Sequence, residues 1–85
     1  MNRPRIYADF HNADAKGRLR LNCIGTVRDL AAQGVRLERG TWLGLYGEEL
    51  EVEGVVEHSA EEGIWVAVVD WRAIRAVANT DPRAR

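Results

Sequence analysis

At 85 residues and 46% apolar side chains, the chain holds one domain with one core, and wholesale disorder is excluded. A formal charge of −1 excludes a protein that is basic or acidic throughout, and a single cysteine, Cys23, excludes an internal disulfide. The opening MNRPRIYADF lacks a secretion-signal core, and no apolar run approaches the roughly 20 residues of a membrane span, so a reducing, cytoplasmic setting with no membrane partner is expected.

Arg5 to Phe10 reads as a first strand, ending in the turn formers HNADAKG at 11–17. Arg18 to Asn22 alternates leucines with cations and reads as a second strand. GTVRDLAAQG then predicts a short helix over 26–33. Thr26 serves as its cap, Asp29 sits near its positive end, and Gly34 takes the left-handed stop. Its apolar face is Val27, Leu30 and Ala31, and a helix this short needs a surface to pack on.

Three strands follow, joined by turns of about three to five residues, which predicts an antiparallel meander. Thr41 to Tyr46 puts Leu43 and Leu45 on one face, with Trp42 and Tyr46 on the other around Gly44. Leu50 to His58 puts Leu50, Val52 and Val56 inward and Glu51, Glu53, Val55 and Glu57 outward. Ile64 to Asp70 puts Ile64, Val66 and Val68 inward and Trp65, Ala67 and Val69 outward. Asp70 caps a last helical turn at about 71–77, and residues 79–85 form a frayed tail beyond a domain at 1–78. The expected fold is mainly β, a small five-stranded antiparallel SH3-like barrel whose closure removes exposed sheet edges. An OB-like barrel or an open α+β sheet is the alternative.

The stretch ERGTWLGLYGEELEVEGVVEHSAEEGIWVAVVDW resembles the small SH3-like barrels, including the KOW type. Gly40 opens a strand, Gly54 sits at a bend, and Val66 and Val68 belong to the closing strand. KOW segments surround that pattern with Lys and Arg, whereas here it carries Glu48, Glu49, Glu51, Glu53 and Glu57, so RNA binding does not carry across. With DFHNADAKGRLRLN included, the whole chain resembles short bacterial proteins of no assigned activity, which implies a stand-alone cytoplasmic domain. Eleven arginines against one lysine agree with a GC-rich bacterial coding sequence.

Charge is unevenly spread. Residues 1–39 carry eight basic and four acidic groups, 40–71 carry eight acids and no base, and 72–85 carry four bases and one acid. Either these segments neutralise one another across the sheet, or they form opposed faces that steer partners or stack copies head to tail.

The candidate sites follow from this layout. Trp42, Tyr46 and Trp65, with Glu51 and Glu53 between them, form an acidic–aromatic face suited to a peptide with apolar and basic residues. Lys16, Arg18 and Arg20 are an alternative stripe for phosphates, disfavoured by the acids of the same domain. Asp9, His11 and Asp14 are weak metal candidates in a loop whose composition equally suits a turn. No flanking signature marks Cys23 with His58 or His11 as a nucleophile–base pair, and no phosphate loop or metalloprotease motif is present, so no enzyme activity and no cofactor are expected. The leading expectation is a non-catalytic module that binds a protein or peptide.

Overall fold

The computed structural model describes residues 3–77. The strands are β1 (Arg5–Tyr7), β2 (Leu19–Arg20), β3 (Trp42–Tyr46), β4 (Leu50–Ser59), β5 (Ile64–Val69) and β6 (Arg75–Ala76), and the helix is α1 (Ile24–Gln33). They form one curled half-barrel sheet in the order β1-β3-β4-β5-β2, with β6 pairing the start of β4.

The antiparallel meander β3–β4–β5 holds as expected, with Leu45 opposite Val52 and Val56 opposite Ala67. The five-stranded antiparallel barrel does not. The sheet has six strands and stays open, and it is mixed, because β1 runs parallel to β3 with Ile6 beside Leu45. The expected helical turn at 71–77 is shorter. Asp70 accepts from the Arg72 N–H to cap a 3-10 turn at Trp71–Ala73, and the chain then returns to the sheet as β6. The tail 79–85 lies outside the described residues. No helix among the described residues is long and apolar enough to cross a membrane.

The concave face carries the core: Ile6, Ala8, Leu19, Leu21, Leu43, Leu45, Val52, Val56 and Ala67 are all buried. Gly54 belongs to this face. A methyl group there would stand 2.9 Å from Val69 Cγ1 and 3.0 Å from Leu45 Cδ1, so its absence lets β3 and β5 close over the middle of β4. Gly34 ends α1 at φ 66°, as its sequence position predicts, and its N–H reaches the Ala31 carbonyl.

The inward side of β5 is the reverse of the expectation. His58 pairs with Trp65 and Gly54 with Val69, so Trp65, Ala67 and Val69 share the core face with Val56. Val68 is exposed on the outer face, and Val66 is buried there, flanked in register by Glu57 and Arg20. The strand IWVAVV is apolar on both sides, so the four-residue turn between Ser59 and Ile64 sets the phase, not hydrophobicity.

The helix begins earlier than expected and is not capped by Thr26. Cys23 is the N-cap and makes no side-chain capping bond. Thr26, Asp29 and Gln33, spaced to share one face, instead run along the edge of β1. Thr26 Oγ1 donates to the Tyr7 carbonyl (2.6 Å), the Tyr7 N–H donates to Asp29 Oδ2 (2.8 Å), and Gln33 Nε2 donates to the Arg5 carbonyl (2.7 Å). Leu30 packs against the core, while Val27 and Ala31 point into solvent.

Asp29→Ala strands the Tyr7 N–H and the Tyr46 hydroxyl at once. It should cost about 2–3 kcal/mol in urea unfolding, whereas Val27→Ala should stay within about 0.5 kcal/mol of wild type. Equal effects would contradict this anchoring. Gly54→Ala should cost about 1–3 kcal/mol by overpacking, measured the same way.

Candidate functional site: the outer sheet face

The period of two along β3 sends Trp42 and Tyr46 to the outer face, away from Leu43 and Leu45. In β4, Val55 lies opposite Trp42, Glu53 opposite Gly44, and Glu51 opposite Tyr46. Val68 of β5 lies opposite Val55. A row Trp42–Val55–Val68 therefore crosses three strands in register, and its two ends are 47% and 44% exposed.

Arginines from outside the acidic segment lie over this face. Arg3 sits above the Trp42 ring, 4.6 Å from its centroid, and ion-pairs with Glu53. Arg5 sits 5.0 Å above the Tyr46 ring and reaches Glu51 at 3.4 Å, where Arg75 also pairs at 3.2 Å. Arg39 approaches Glu57 at 3.6 Å. Glu51, Glu53 and Glu57 of the acidic segment are thus each paired with arginines from outside it. A groove of about 770 Å³ opens beside these residues, bordered by Arg3, Arg5, Gly44, Glu51, Glu53 and Arg75.

Of the five residues expected to bind a partner, the structure brings four together. Trp42, Tyr46, Glu51 and Glu53 share the outer face, but Trp65 lies on the opposite one, partly buried, with its ring 5.0 Å from His58 in an edge-to-face contact. Tyr46 is half-buried and donates its hydroxyl proton to Asp29 Oδ2 at 2.6 Å. That bond, with burial second, raises the phenol above its ordinary value. Tyr7 meets Tyr46 edge-on at 5.8 Å. Its phenol is also raised, by burial first and then by Glu48 and Asp9.

Sequence reasoning missed the contributions of Arg3, Arg5, Asp29 and Arg75. Parallel pairing of β1 with β3 places Arg3 and Arg5 at the opposite end of the sheet from Arg18 and Arg20. The signal for them was their spacing, since Arg3, Arg5 and Tyr7 share a face just as Glu51 and Glu53 do.

The alternative basic stripe is occupied from within. Arg18 pairs with Asp14 at 2.8 Å with little exposure of either side chain. Arg20 makes two 2.8 Å bonds to the Glu62 carboxylate and others to Asn12 and the Ala13 carbonyl. The Glu62 bond raises Arg20 and lowers Glu62. Lys16 is exposed, and its side chain makes no hydrogen bond or ion pair among the described residues.

The loop at 9–14 is built as a turn. Asp9 Oδ1 accepts from the His11 N–H, and Asp14 Oδ1 accepts from the N–H groups of Lys16 and Arg18. The His11 ring is almost fully exposed, and Asp14 faces Arg18. Among the described residues, no three His, Cys, Asp or Glu side chains are placed to hold a metal ion. No protein-family model, curated protein or solved structure matches the chain.

Burial acts to raise the Asp14 carboxyl, but bonds from the Arg18 N–H, the Arg18 side chain and the Lys16 N–H outweigh it and hold it below its ordinary value. Native Asp14 and Glu62 therefore bind protons less readily than in the unfolded chain. Their stabilisation is present above the ordinary carboxylate range, about pH 4, and is lost as pH falls through the lowered native values. Asp14→Asn should cost on the order of 2 kcal/mol at pH 7 and flatten the acid limb of stability against pH, read from urea midpoints. An unchanged acid limb would contradict the assignment.

Proposed function

We propose that the chain is a non-catalytic interaction module that takes a protein or peptide partner on its outer sheet face. The exposed, in-register row Trp42–Val55–Val68 carries this reading. An apolar row rimmed by charged groups has the anatomy of a recognition patch, and a Trp at its head is the residue type that most often dominates such energetics. Glu53 and Glu57 lie beside the row and suit a partner that combines apolar and basic residues. The SH3-like reading of the fold belongs with this proposal. The close approach of Val69 and Leu45 over Gly54 and the 3-10 turn after β5 support it, as does a groove bordered by Arg3, Glu51 and Glu53.

The Arg18–Asp14 and Arg20–Glu62 pairs count against nucleic acid as the partner, since a phosphate backbone would have to compete with carboxylates already in place.

A displayed peptide library selected on the wild type should yield peptides that bind Trp42→Ala at least about tenfold more weakly. The variant's circular dichroism should be unchanged and its melting temperature within a few degrees, because nearly half of Trp42 is already in solvent. Unfolding of the variant, or binding indifferent to it, would contradict the proposal.

A further inference from the structure

The outer face contains one arrangement twice. A guanidinium lies on an aromatic ring with a carboxylate at its edge: Arg3 on Trp42 with Glu53, and Arg5 on Tyr46 with Glu51. The two rings stand at alternate outer positions of β3, separated by Gly44.

The two units differ in how firmly they are held. Arg5 belongs to β1, and Gln33 ties down its carbonyl. Its ring partner, Tyr46, is bonded to Asp29, and Glu51 is only 17% exposed and shared with Arg75. This unit is part of the fold. Arg3 precedes the strand, and its own side chain and that of Glu53 are 43% and 52% exposed, beside the half-exposed Trp42. This unit is open to solvent on every member.

We propose that Arg3 is an internal ligand of the Trp42–Glu53 unit, and that this unit recognises an arginine of a partner peptide, which takes the place of Arg3. The inference rests on the outer-face reading and adds the chemistry of the partner. The seated guanidinium shows what the unit fits. A guanidinium can lie over the indole and still give an N–H to the carboxylate, as Arg3 does, an arrangement its flat fork of donors suits better than a lysine ammonium. From Trp42 the row runs on to Val55 and Val68, so a small apolar residue beside the partner's arginine has a place to lie. The groove next to Arg3 and Gly44 has room for the peptide backbone.

An internal competitor raises the apparent dissociation constant by the reciprocal of the fraction of time the site is free, about tenfold if Arg3 is seated nine-tenths of the time. The test uses a blocked hexapeptide with one central arginine between valines, and its citrulline and lysine analogues. Binding is followed by NMR of the Val55 backbone amide, opposite position 42 and present in every variant. Arg3→Ala should bind the arginine peptide about tenfold more tightly than wild type, with the citrulline and lysine analogues well behind and Arg3→Lys in between. Adding Trp42→Ala should abolish the gain. An Arg3→Ala variant that binds no more tightly than wild type, or that gains equally for citrulline, overturns the inference. If wild type and Arg3→Ala bind alike, and both lose binding with Trp42→Ala, the outer face stands as the recognition surface and only the internal-ligand role falls.

Discussion

Along the free edge of β1, three side chains of α1 do the work of a missing strand. The Tyr7 N–H and the carbonyls of Tyr7 and Arg5 face away from β3, and Asp29, Thr26 and Gln33 satisfy them in turn. An open sheet edge leaves backbone groups unpaired and invites other chains. Here a ten-residue helix with no side-chain cap closes one edge of the half-barrel, and those same bonds hold the helix in place. The Thr26 hydroxyl gives its proton to Tyr7, which leaves the Cys23 thiol, 3.0 Å away, to donate to Thr26. Cys23 thus supports the anchor.

Asp29 extends the anchor from β1 to β3, because it accepts from both the Tyr7 backbone and the Tyr46 hydroxyl. Pinning β1 beside β3 in parallel lays Arg3, Arg5 and Tyr7 along the outer face, over the rings of β3 and against the carboxylates of β4. The surface that results is a lattice of guanidinium groups, rings and carboxylates. Exposed pairs of this kind each add little to stability, so their arrangement matters more for what the face can recognise.

The meander was legible because β3 and β4 alternate cleanly and because short turns force antiparallel neighbours. Gly34 was legible because a helix stop favours the left-handed region. The parity of β5 was not, since IWVAVV offers apolar residues to both sides, and only the length of the turn before it decides that Trp65 goes inward with His58. Thr26 looked like a cap because capping is a local habit of threonine, and tertiary context overrode it. The parallel β1–β3 pair joins segments some forty residues apart with no local signal. With that pair hidden, the sequence showed the aromatic and acidic members of the outer face but not the arginines seated on them.

The α1–β1 anchor holds the sheet edge in place, and hydrogen exchange at the Tyr7 amide reads its strength. Tyr7 N–H has no strand partner, so in a loosely covered edge it would exchange as fast as loop amides. Bonded to the Asp29 carboxylate, it should be protected to within about tenfold of the core amides of Leu45 and Val56 and open only with global unfolding. Protection no greater than that of the amides in the turn at 60–63 would contradict the anchor, and with it the placement of Arg3 and Arg5 on the outer face.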